Sequence, residues 1–141
     1  SGLKQLQGLN LSRSNVDDNA LLHLTDLPQL RNLDLSETSL TDEGLKPIGQ
    51  FTKLKNLDLS KTKISGSGLG DLSECKKLTE LNLSGTSLRP QHLILLKDFT
   101  NLIKLDVSNT YVSEKDLGEL KQALNYCNII TKPDQETAKG K

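Results

Sequence analysis

The sequence contains no methionine and no tryptophan, and only two tyrosines, two phenylalanines and two cysteines in 141 residues. Aromatics at 3% leave no basis for a base-stacking platform on single-stranded nucleic acid. There is no excess of either charge: 18 basic residues face 18 acidic ones, without a run of like sign. Nucleic acid and anionic membrane are therefore poor candidates for the main partner. No apolar stretch approaches the roughly 20 residues of a membrane span, and no signal-peptide pattern opens the chain. No HExxH, no phosphate-cradling glycine loop behind a strand and no Ser/His/Asp ordering is present. His23 and His92 have no Cys or His at ligand spacing, so zinc and acid–base roles find little support. No metal or other cofactor is expected.

What is present is repetition. Leu54-Lys55-Asn56-Leu57-Asp58-Leu59-Ser60-Lys61-Thr62-Lys63-Ile64 reads L-x-x-L-x-L-x-x-T-x-I, and it returns when shifted by 24 residues either way, at Leu30–Leu40 and Leu78–Leu88. Further copies start at Leu102 and Leu6. Self-similarity in strict register marks a solenoid, in which no unit can bury its apolar face alone and stacking makes one continuous core.

Numbered from its first Leu, each repeat is apolar at positions 1, 4, 6 and 11. Positions 3 to 5 are predicted to form a short parallel strand, which requires a crossover. The second half supplies it: Leu45, Ile48 and Phe51, or Leu93, Leu96 and Phe99, recur at positions 16, 19 and 22, one face of a short helix. Thr41 and Ser113 are placed to cap such helices, Ser113 with Asp116 as a capping box, and Pro90 suits a first helical position. Ser65-Gly66-Ser67-Gly68-Leu69-Gly70, with three glycines, predicts an irregular or 3-10 turn. Leu124 follows Leu102 by 22 residues, so the final unit is expected to be short, with Leu124, Cys127 and Ile129 in a last strand and Cys127 in core position 4.

This pattern resembles a leucine-rich repeat over roughly residues 3–131. The 24-residue period and the Thr at position 9 resemble the cysteine-containing and ribonuclease-inhibitor-like types. The expected fold is α/β: a right-handed β-α leucine-rich repeat solenoid with a parallel concave sheet over 1–131, about five repeats plus a capping strand, followed by a disordered polar tail at 132–141. Leu3 sits 24 residues before Leu27 and reads as the tail of an earlier repeat. The expectation is thus a fragment of a longer protein, truncated at its N-terminus, and self-association through that N-terminal edge is a further expectation.

With leucines pointing inward, positions 3, 5, 7, 8 and 10 are predicted to line the concave face. The uniform Ser column at position 7 and the Thr column at position 9 read as structural, the serines as a ladder and the threonines as bonds to the inward-turning backbone. The partner-binding candidates are Glu80 and Lys104 at position 3, Asp34, Asp58 and Asp106 at position 5, Glu37 and Lys61 at position 8, and Lys63 and Tyr111 at position 10. The Asp column reads either as a contact for a partner's Lys or Arg or as a solvated face. Tyr111 reads either as an interface anchor, with Ile103 beside it, or as a cover for the end of the array. On the helical side Ile94 and Leu95 fall off the buried stripe. Cys75 and Cys127 lie too far apart in the repeat for a disulfide, which favours a reducing compartment.

The resemblance implies a non-catalytic protein-binding module holding another protein or peptide, and the unpaired cysteines make a cytoplasmic location the expectation. The alternatives are the substrate-recognition region of a ubiquitin-ligase adaptor or of a bacterial effector exported to a host cytosol, and an enzyme whose catalytic domain lies elsewhere.

Overall fold

The computed structural model describes residues 2–24 and 26–131; the predicted polar tail at 132–141 lies outside the described residues. Six strands, β1 (Gly8–Asn10), β2 (Asn32–Asp34), β3 (Asn56–Asp58), β4 (Glu80–Asn82), β5 (Lys104–Asp106) and β6 (Asn128–Ile130), form one sheet in chain order. All pair in parallel, and the register runs Leu9, Leu33, Leu57, Leu81, Leu105, Ile129. That register is the 24-residue repeat made physical, because a shift of one residue would turn every leucine to the wrong face.

The last unit corrects the expectation of a short repeat. Asn128 pairs with Lys104 and Ile129 with Leu105, so the strand keeps the full spacing. Ile129 takes position 4, Cys127 falls at position 2 and is only half-buried, and Leu124 is buried one turn earlier. Leucine content pointed to Leu124 as a start, but backbone pairing with β5 decides the register.

The crossovers are less helical than the stripe predicts. Among the described residues only α1 (Asp18–Leu21), α2 (Leu45–Ile48) and α3 (Gly118–Ala123) are α-helical; Leu69–Leu72 and all of Pro90–Leu96 are 3-10 turns. A short crossover gains little from α-helical bonding, since nucleation costs more than so few hydrogen bonds return. The irregular turn expected in the glycine-rich third repeat is present, and Thr41, Ser113 with Asp116, and Pro90 stand at the predicted starts.

The core is the predicted one. Positions 1, 4, 6 and 11 of the second to fifth repeats are all buried, with the helix-side stripe Leu45, Ile48, Phe51, Leu69, Leu72 and Cys75 packed behind them. In the first repeat Leu6, Leu9, Leu11 and Val16 are only partly buried, because β1 has a neighbour on one side alone.

Candidate functional site: the exposed face of the sheet

The site is built by a motif repeated within each turn. At position 5, Asp34, Asp58 and Asp106 each accept two bonds on Oδ1 from the Ser two residues on, one from its N–H and one from its hydroxyl. The hydroxyl bonds measure 2.7, 2.7 and 2.6 Å. Asn10 accepts the same pair from Ser12, and Asn82 accepts the Ser84 N–H at 2.9 Å. The serines therefore form no ladder between repeats, as position 7 had suggested. Each closes a turn inside its own repeat, because the neighbouring carboxylate or amide is nearer than the next serine. The Thr column behaves as expected: Thr38, Thr62, Thr86 and Thr110 donate to the position-6 carbonyls at 2.6–2.8 Å.

Position 8 carries a constraint that its varied composition hides. Arg13, Glu37, Lys61 and Asn109 all have φ of 57–58°, and Gly85 has 71°. This left-handed conformation costs a non-glycine residue about 1–2 kcal/mol. The chain needs it to leave the strand while Lys61 and Gly85 donate N–H groups to Ser84 and Ser108 of the next repeat. Only Gly85 and Asn109 belong to the residue types that favour this region, so the sequence alone does not reveal it.

Positions 3 and 5 line a groove of about 600 Å³ along the sheet. Of the nine predicted partner-binding residues, Asp34, Asp58, Glu80, Lys104 and Asp106 line it together. Glu37, Lys61, Lys63 and Tyr111 stand beyond the strand ends, on the loops that follow. Glu37 pairs with Arg13 at 2.7 Å, and that bond and charge hold its carboxyl below the ordinary range. Tyr111 is 61% exposed with the Arg89 guanidinium 4.6 Å over its ring, while Ile103, also exposed, precedes β5 at the other end of the strand. Asn56 donates to Asn32 across neighbouring strands. Among the described residues no three of His, Cys, Asp and Glu gather as a metal site would require.

The helical side carries a smaller depression of about 140 Å³ near Ile94, Leu95 and Phe99, with Ile94 the most exposed. Asp42 shows the densest hydrogen bonding there. Its carboxylate takes the Ser65 N–H at 2.8 Å and hydroxyl at 2.9 Å, the Gly66 N–H at 3.0 Å and the Gly68 N–H at 2.9 Å. Burial pushes this carboxyl up, and the bonds from Ser65, Gly68 and Gly66 more than offset it, so its pKa lies below the ordinary value. Asp18 does the same for Thr41, one repeat earlier. The two cysteines are free: Cys75 is buried against the carbonyls of Ile48, Gly49 and Phe51, and burial pushes its thiol up to about 11.

A parallel strand every 24 residues, a buried leucine ladder and one-sided crossovers define an α/β leucine-rich repeat solenoid. Residues 28–88 match the model of the leucine rich repeat family. In structure the chain resembles an LRR protein of Leptospira interrogans (23% identity, TM-score 0.66, covering 90% of this chain and 37% of that one). It also resembles an internalin from Listeria monocytogenes (19%, 0.64, 94% and 43%). Leiomodin-1 actin-binding site 2 is similar as well (18%, 0.65, 87% and 81%). The chain thus spans less than half the length of the two bacterial proteins. No curated protein matches the sequence.

Proposed function

We propose that this chain is a non-catalytic protein-binding module that holds a protein or an extended peptide in the groove of its sheet, and that its repeats are of the 24-residue, ribonuclease-inhibitor-like type. The observation that carries the function is the groove itself: a sheet face that no element covers among the described residues, about 600 Å³ in volume, with three aspartates in its lining that their own repeats hold in place. Preorganised polar groups on rigid strands lower the ordering cost of binding. The 24-residue register and the position-9 Thr bonds support the subtype. Protein recognition is the general use of this fold, and a chain of like fold is named as an actin-binding site; the partner of this chain is a separate question of groove chemistry.

The test is selection of random 16-residue peptides by the immobilised protein, repeated with Asn56→Trp, which fills the middle of the groove, and with Gln50→Trp, exposed on the helical side. Binders retained by the parent and Gln50→Trp but lost by Asn56→Trp support the reading. Binders indifferent to Asn56→Trp, or no binders at all, overturn it.

A further inference from the structure

The groove is charged in a chain that is neutral overall. Four carboxylates, Asp34, Asp58, Glu80 and Asp106, line it against one ammonium, Lys104, while the whole chain balances 18 against 18. None of these five groups forms an ion pair among the described residues; the ion pairs there join Lys4 to Asp26, Arg13 to Glu37 and Lys121 to Glu114, all outside the groove. Beyond the strand ends, Arg13 is tied to Glu37, which also feels the charge of Lys61.

The three aspartates are also fixed. Oδ1 of each is occupied by the N–H and hydroxyl of its own serine, which holds the carboxylate in place and leaves Oδ2 without a bond among the described residues. A solvated face needs no such arrangement of charge. Asn10 and Asn82 show that an amide closes the same turn, so the negative charge at Asp34, Asp58 and Asp106 is not required by the fold.

Resting on the groove-binding reading above, we infer that the occupant is an extended polypeptide bearing Lys or Arg, running across the strands, with one basic side chain at the Asp34–Asp58 pair and another at Asp106. The spacing follows from the register. Strands lie about 4.8 Å apart, so the middle of the Asp34–Asp58 pair is roughly 12 Å from Asp106, about four residues of extended chain at ~3.3 Å each. Asn82, between them, supplies a neutral amide where the occupant carries an uncharged residue. Phosphate-bearing ligands are repelled by the same charges.

The experiment sequences the peptides selected above and measures a labelled binder by fluorescence anisotropy against Asp34→Asn/Asp58→Asn/Asp106→Asn. The expected binders carry Lys or Arg about four residues apart. The triple variant is expected to bind roughly 30-fold more weakly, about a factor of three for each exposed charge pair, with Tm unchanged because Asn already serves at this position. Raising the salt weakens the parent but not the variant. Neutral or acidic binders that are lost with Asn56→Trp and kept by the triple variant overturn the inference and leave the groove reading standing. Binders indifferent to Asn56→Trp, or none, remove both.

Discussion

On the sheet side of this molecule each repeat copies its neighbour, with the same Asx turn, the same Thr bond and the same left-handed residue from Arg13 to Asn109. On the opposite side the repeats use different devices, and only the first two share one. Asp18 and Asp42 bind the next repeat, Pro90 opens a seven-residue 3-10 turn, and Ser113 closes on Asp116 within its own. The difference lies in what must be satisfied. A strand's N–H and C=O groups face neighbours on both sides at fixed spacing, so any departure in one repeat leaves unpaired groups in two others. A crossover has only to bury three apolar side chains and return the chain, and several local devices do that equally well.

That contrast can be broken by mutation. The largest effect is expected in the core: Leu81→Ala on the sheet side should cost about 3–5 kcal/mol, and Leu96→Ala on the helical side about 2–4 kcal/mol, because the irregular crossover can partly collapse into the cavity. Chemical denaturation checks the order; equal losses would mean that the two sides are equally rigid. Next, Gly66→Ala should cost about 2–3 kcal/mol. Gly66 has φ of 109°, and a Cβ there would lie 2.7 Å from Leu88 Cδ1 and 2.9 Å from His92 Cβ. A tolerated alanine would show that even this corner relaxes.

Asp42→Asn sharpens the comparison by removing the most elaborate link of the helical side, and about 1–2 kcal/mol should be lost, a value discounted for a partly exposed carboxylate. The pH dependence has a definite sign. Asp42 has a lowered pKa in the folded state, so its contribution is complete above the ordinary carboxylate range and disappears as pH falls through the folded value. Thermal melts across acid pH should therefore be flatter for the Asn variant than for the parent. The smallest effect runs the other way: Lys61→Gly, which relieves a φ of 57°, should stabilise by about 0.5–1 kcal/mol, read as a higher denaturation midpoint.

The same contrast explains what could be read from the sequence. The strands, their register, the leucine ladder and the position-9 Thr bonds follow directly from period and side-chain type, since a one-residue slip would reverse the faces. So do five of the groove residues, because position within a strand fixes the direction of a side chain. What was hidden depended on three-dimensional neighbours. The glycines after Ser65 read as mere weakness, yet they bring three backbone N–H groups and a hydroxyl onto Asp42, which lies 23 residues away from Ser65. The left-handed column was masked by charged residues with no preference for it, and the start of β6 by a leucine two residues too early.

Cys75 turns the packing of the second repeat against the third into a clock. Its thiol sits under the carbonyls of Ile48, Gly49 and Phe51 and is raised to about 11, so a maleimide can reach it only when those two turns part. Cys127, half-buried near the last strand, supplies an internal reference that reacts without such an opening. The ratio of the two labelling rates in one tube would report how often the coil breathes at its middle, and whether a peptide lying across Asp34 and Asp58 holds it shut.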